Sequence, residues 1–267
     1  MIRLIAADMD GTLLNSRQEL PKELFPLIDS LAARGVYFAA ASGRQYYNLR
    51  HIFEPVKDKM FFVAENGGVV FHQGKNIYVS AIDPVFLPEV VDCVRGLGAA
   101  PFLCGLQASY SESEEAVLTD NAKMYYYNYQ VLDNVLKAQD TICKIAVFDY
   151  TDAEKNVFHQ LRDRFGDVLE VSLSGQHWVD LSMPGTNKGT AIKRIQEQFG
   201  IGFDETMLFG DYLNDYEMMK VGHYSYAMAN AHPELKAICN YETLSNDDNG
   251  VIEAIRQVCP EAFDTIE

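Results

Sequence analysis

Two aspartates separated by one residue, Asp8 and Asp10, stand with Gly11 and Thr12 directly after a short apolar run. Carboxylates so spaced can divide the work of phosphoryl transfer, one attacking phosphorus and the other holding a proton, provided a cation relieves their repulsion. Gly11 permits a sharp backbone turn there. An acidic surface turn is the plain alternative. A calcium loop fails on register, because an EF-hand wants glycine at position six and glutamate at position twelve. A second acidic group, Asp211, Asn214 and Asp215, follows another apolar run at 206–209. Hard carboxylate oxygens of this kind suit Mg2+, while helix capping by Asp211, with Asn214 and Asp215 in the first turn, is the competing reading. Two such clusters at strand ends would set negative charge side by side, so positive or hydrogen-bond-donating partners are expected. Ser42 and Gly43, followed by Arg44, can cradle a phosphate with a hydroxyl and backbone N–H groups, and Lys188 heads a later helix. A simple helix cap at Ser42 and a solvated lysine at 188 are the alternatives.

The elements that must position these residues follow from the hydrophobic pattern. A strand is predicted at 2–7, a helix at 21–34 with Leu24, Leu27, Ile28 and Leu31 on one face, and a strand at 37–40. A short helix at 45–53, a strand at 61–64 and a tight turn at Asn66-Gly67-Gly68 into a strand at 69–72 come next. Strands alternating with covering helices predict an α/β fold with a doubly wound parallel sheet, which binds ligands at the carboxyl edge of its strands. From residue 83 the order changes. A helix at 84–97, strand-like stretches around Phe102 and Tyr125, a strand at 142–148, a helix at 153–165 and strands near Val168 and Trp178 suggest an inserted α+β domain. The first pattern resumes with a helix at 188–199, a strand at 206–209, a short helix after Asn214, a strand at 224–227 and a helix at 251–258. Residues 1–82 and 187–267 are therefore expected to form a discontinuous core, and 83–186 the insertion. If 125–129 is a strand, Tyr125, Tyr127 and Tyr129 share one face; packing within the insertion is favoured over a stacking platform.

Composition narrows the partners. The 267 residues are 48% hydrophobic, enough for a substantial core, and carry a formal net charge of −16. Nucleic acid and anionic membranes bind mainly through Lys and Arg contacts to phosphate, so neither is expected as a partner. Five scattered cysteines without a C-x-x-C pair indicate neither a disulfide framework nor a zinc site and fit the cytoplasm. The first apolar run is too short for a signal h-region, and no stretch has the length of a membrane span. A G-x-x-x-x-G-K-[ST] loop is missing, which argues against a nucleotide kinase. No feature separates a monomer from a dimer.

Taken together and in order, D-M-D-G-T-L-L at 8–14, A-S-G-R at 41–44, N-K-G-T-A-I at 187–192 and G-D-Y-L-N-D at 210–215 resemble the four motifs of the haloacid dehalogenase superfamily. The position and size of the insertion, Glu65-Asn66-Gly67-Gly68, A-M-A-N-A-H at 227–232 and S-N-D-D-N-G at 245–250 are similar to the Cof-type hydrolases with a C2B-type cap. The resemblance implies a Mg2+-dependent phosphatase acting on small phosphorylated metabolites such as sugar phosphates, nucleotides, FMN or pyridoxal phosphate. Asp8 would form an aspartyl-phosphate, and Asp10 would protonate the leaving oxygen and then activate water. Ser42, Gly43, Lys188 and Asn214 would hold phosphate. Mg2+ would be bound by the Asp8 carboxylate, the Asp10 backbone carbonyl and Asp211, with Asp215 in support, while Gly11 and Thr12 shape the loop. Tyr212 stands where the family more often has a small residue, and is expected to pack outward. Ala229-Asn230 replaces the commoner Gly-Asn. A phosphomutase or phosphotransferase on the same scaffold and a non-catalytic phosphometabolite-binding regulator are the competing functions, the last weakened because binding alone has no need of both Asp8 and Asp10.

Overall fold

The computed structural model of the chain describes residues 1–264 and residue 266. They divide into two compact units, Met1–Tyr78 with Asn187–Glu267, and Val79–Thr186. The first unit begins with β1 (Leu4–Asp8), α1 (Leu24–Ala33), β2 (Tyr37–Ala41), α2 (Tyr46–Ile52), β3 (Met60–Ala64), β4 (Val69–His72) and β5 (Lys75–Val79). The second contains α3 (Leu87–Gly96), β6 (Ala100–Gly105), β7 (Ser109–Ser111), α4 (Ala116–Ala122), β8 (Tyr129–Val131), β9 (Ile142–Phe148), α5 (His159–Phe165), β10 (Glu170–Leu173) and β11 (Trp178–Ser182). The chain returns to the first unit with α6 (Lys188–Phe199), β12 (Thr206–Gly210), α7 (Tyr216–Met219), β13 (Tyr224–Ala227), α8 (Pro233–Lys236), β14 (Tyr241–Glu242) and α9 (Gly250–Val258).

The first unit is an α/β domain around one sheet, ordered β14-β13-β12-β1-β2-β3-β4-β5. From β14 to β3 every pairing is parallel; β4 folds back antiparallel on β3. Both β1 and β3 are buried along their whole length, which is why they read as unbroken apolar runs rather than alternating ones. On α1, Leu24, Leu27, Ile28 and Leu31 are buried, the spacing of one helix face. From β1 the chain winds to β2 and β3 on one side, then returns to β12, β13 and β14 on the other. The carboxyl end of β1 is thus the topological switch point, the crevice where open α/β sheets bind ligands. Ala7 lies opposite Phe209 and Asp8 opposite Ala41, so the chain leaves β12 toward Asp211 and leaves β2 toward Ser42 close to the level of Asp8.

The second unit is an α+β fold whose sheet runs β10-β11-β9-β6-β7-β8, with all pairings antiparallel except β7 with β8. Val90, Val91 and Val94 of α3 and Leu161 and Phe165 of α5 share one core with Leu103, Ile145, Val147, Val179 and Leu181 of the strands. The strand expected around Tyr125 is not formed. Residues 125 and 126 continue the turn that ends α4, their N–H groups donating to the Ala122 carbonyl at 3.0 and 2.8 Å. The ring of Tyr126 is buried against Phe102, with centroids 4.5 Å apart, whereas Tyr125 and Tyr127 are exposed. Burying one large ring outweighs the strand preference of the tyrosine run, so Tyr125, Tyr127 and Tyr129 do not line one strand face. Among the described residues no helix is long and apolar enough to cross a membrane.

Candidate active site

Asp8 is the last residue of β1 and is buried at the switch point. The Lys188 ammonium, at the first position of α6, donates to Asp8 Oδ1 at 2.5 Å and to Asp215 Oδ1 at 2.7 Å. Neither Lys188 nor Asp215 has any exposed side-chain surface. Asn187 orients the start of the helix, its Oδ1 accepting from the Thr190 N–H at 2.8 Å. Asp215 turns its other oxygen back on its own loop and accepts from the N–H groups of Asp211 at 3.0 Å and Tyr212 at 3.4 Å. Lys188, expected from sequence at a phosphate, therefore lies between two carboxylates.

Asp211 faces the turn after β1. Thr12 Oγ1 donates to Asp211 Oδ1 at 3.1 Å. Gly11 has φ of +83°, and a Cβ there would stand 2.3 Å from Asp211 Oδ2. Only glycine satisfies both the left-handed backbone and this approach. The Gly11 carbonyl accepts from Asn230 Nδ2 at 2.8 Å, so the A-N dipeptide at 229–230 retains the amide that braces the turn. The exposed Tyr212 touches His232 edge-on, with centroids 5.6 Å apart.

On the opposite side, Ser42 is buried just beyond β2, and its Oγ accepts from the Arg44 N–H at 3.2 Å. Its carbonyl accepts from the Asn66 N–H at 2.9 Å. Glu65, Asn66 and Gly67 all have positive φ, a sharp reversal between β3 and β4 that brings the Asn66 amide against Gly43. Asn214 Nδ2 donates to Asn66 Oδ1 at 3.3 Å, linking the loops that follow β12 and β3. Asp10 is exposed, its carboxylate held by Arg44 at 2.6 and 2.9 Å.

One carboxylate oxygen from each of Asp8, Asp211 and Asp215 lies within 4.8 Å of the other two. Burial above all pushes the Asp8 carboxyl well up; Lys188 opposes this and Asp215 adds to it. Burial and then the Asp215 charge push Asp211 up to about 6. For Lys188 burial alone would lower the pKa, but Asp215 and Asp8 together raise it above the ordinary lysine value. Three carboxylates against one ammonium leave negative charge uncompensated in a low-dielectric pocket. Hard, convergent oxygens with that deficit fit a divalent cation.

A family profile for haloacid dehalogenase-like hydrolases matches residues 5–255. The chain belongs to this family. The haloacid dehalogenase-like hydrolase is 31% identical over 260 residues to the 5-amino-6-(5-phospho-D-ribitylamino)uracil phosphatase YbjI of Escherichia coli, covering 96% of each chain. It is 26% identical to the HMP-PP phosphatase of Cronobacter sakazakii over 89% of this chain and 88% of that one. The crystal structure of TM0651 from Thermotoga maritima matches with a TM-score of 0.87 at 25% identity, covering 96% and 97% of the two chains. The chain is accordingly an enzyme, a phosphoric monoester hydrolase. Sequence reasoning assigned no role in this hydrolase to Arg44, Asn66 or Asn230. Arg44 carried a signal, lying beside Ser42 and Gly43; Asn66 and Asn230 stood in segments that resemble the family, but their contacts, spanning 148 and 219 residues, come only from the fold.

Proposed function

We propose that the protein is a Mg2+-dependent phosphatase of small phosphorylated metabolites that works through an aspartyl-phosphate on Asp8. The observation that carries the reading is the convergence of Asp8, Asp211 and Asp215 at the switch point with Lys188 buried between two of them. The Asp8 and Asp211 carboxylates and the Asp10 backbone carbonyl would hold Mg2+, with Asp215 in support. When bound, the ion supplies charge neutralisation for the dianionic phosphoryl group.

In the first step an Asp8 carboxylate oxygen forms a bond to phosphorus, the ester P–O bond breaks, and the departing oxygen takes a proton from Asp10. In the second, water attacks phosphorus and gives its proton to Asp10; the bond to Asp8 breaks, releasing inorganic phosphate and restoring the carboxylate. Lys188 holds Asp8 in position through the hydrogen bond between them. The buried Ser42 hydroxyl and the N–H groups of the 42–44 loop donate to phosphoryl oxygens, whose charge grows in the transition state. Asn214, tied to Asn66, orders the opposite loop. The metabolite phosphatases of Escherichia coli and Cronobacter sakazakii to which the chain is similar support small phosphate esters as substrates. We further read the unit Val79–Thr186 as the cap of the family. Five free cysteines support a cytoplasmic location.

The test is hydrolysis of p-nitrophenyl phosphate followed by a screen of sugar phosphates, nucleotides, FMN and pyridoxal phosphate. Activity is expected to vanish with EDTA, return with Mg2+ and be absent in Asp8→Asn. Turnover indifferent to both chelation and the substitution would end the proposal. Phosphate release compared with transfer to an added sugar separates hydrolysis from phosphotransfer.

A further inference from the structure

We propose that Arg44 is the positioning residue for Asp10, fixing the direction of its carboxylate. The inference rests on the phosphatase reading above and on the proton-carrying role given there to Asp10.

The two aspartates of the first motif have opposite surroundings. Asp8 is buried on Lys188, whereas the Asp10 side chain is 46% exposed. An exposed aspartate with nothing to hold it samples several rotamers, only some of which present its proton in one fixed direction. Arg44 removes that freedom. Its Nε donates to Asp10 Oδ2 at 2.9 Å and its Nη2 to Oδ1 at 2.6 Å, a two-pronged fork.

The fork is itself set in place. The Arg44 side chain is only 13% exposed. Its Nη2 also donates to Gln18 Oε1 at 3.0 Å, and its backbone N–H donates to Ser42 Oγ. The loop that presents Ser42 therefore also aims Asp10. A carboxylate has about four lone-pair sites; the fork occupies one on each oxygen and leaves one on each where the proton can sit that goes to the leaving oxygen or comes from water. A solvated ion pair of no consequence would need neither the bidentate geometry nor the buried stem.

Four proteins test this: Arg44→Gln, Arg44→Lys, Asp10→Asn and the double variant Arg44→Gln/Asp10→Asn. Each is assayed with Mg2+ on p-nitrophenyl phosphate and on an alkyl phosphate, and melted thermally to establish folding. General acid–base catalysis contributes roughly 10² to 10⁴ in rate, so losing the aim of the group should cost about 10- to 100-fold in kcat on the alkyl ester. In kcat/KM, which reports the first step alone, the p-nitrophenyl ester should lose less, because its leaving oxygen needs less protonation. KM should stay nearly constant, and Arg44→Lys, a point charge without the fork, should restore part of the rate. In the Asp10→Asn background, Arg44→Gln should add no further loss.

Equal loss in kcat/KM on both esters, or the same loss repeated in the Asp10→Asn background, would overturn the inference. So would a defect expressed as a raised KM with weaker inhibition by inorganic phosphate, which would make Arg44 a phosphate ligand. An Asp10→Asn enzyme with wild-type kcat on the alkyl ester would overturn the role of Asp10 and the inference with it.

Discussion

Gly11→Ala puts a single methyl group into the contact on which the acidic cluster depends. The new Cβ would stand 2.3 Å from Asp211 Oδ2 and 2.8 Å from its Cγ, where ordinary contact begins at 3.4 Å. Asp211 must retreat by about 1 Å, or the turn must move and carry Asp8 and Asp10 with it; an error of that size at reacting groups costs about 10²-fold. The left-handed backbone at Gly11 adds a separate stability cost of about 1–2 kcal/mol. Gly35→Ala isolates that second effect, because Gly35 has φ of +75° and no heavy atom within 4 Å of its would-be Cβ. Initial rates on p-nitrophenyl phosphate against Mg2+ concentration, together with thermal melts, measure both. Gly35→Ala should melt earlier with full activity. Gly11→Ala should lose about 100-fold in kcat/KM and require more Mg2+. A Gly11→Ala enzyme within about threefold of wild type, with the two variants equally destabilised, would refute the claim that the closeness of Gly11 to Asp211 sets the site.

Two further outcomes follow from the electrostatics. Lys188→Met keeps most of the side-chain length but leaves Asp8 and Asp215 buried without their cation; breaking a buried pair costs about 3–5 kcal/mol, readable by urea denaturation without divalent ions, and a loss below about 1 kcal/mol would contradict the account. Asp211 is pushed up to about 6 from 3.8, so between those values the folded state binds a proton that the unfolded chain releases. Stability without divalent cations should therefore be higher toward pH 4 and fall as pH rises to about 6. The melting difference between wild type and Asp211→Asn, measured in EDTA, should follow that slope, and a flat difference would contradict it.

Much of this was legible because the site is built from strand ends. Runs such as 60–64 and 206–210 are apolar on both faces, so the polar motif after each marks the sheet edge without tertiary knowledge. Helix α6 has the expected bounds, 188–199, and the structure supplies the reasons, Asn187 capping its start and Gly200 ending it in the left-handed conformation. What the chain does not spell out is pairing across long separations. That Lys188 reaches Asp8 rather than solvent depends on two elements 180 residues apart, and the motif that singles out Arg44 beside Ser42 and Gly43 does not say that its partner is Asp10, 34 residues away. The tyrosines at 125–127 misled for the complementary reason. Their strand preference is real, but burial of Tyr126 on Phe102 decides the local backbone. The short α8 and β14, of four and two residues, leave too little periodicity to be read.

Chemical trapping of the intermediate tests the central claim most directly. Asp10→Asn should slow breakdown of an aspartyl-phosphate more than its formation from p-nitrophenyl phosphate, whose leaving group departs readily. Acid quenching during turnover, borohydride reduction and peptide mass analysis should therefore reveal homoserine at position 8. Reduction at any other aspartate, or unmodified Asp8 in an enzyme that is turning over, would contradict the account.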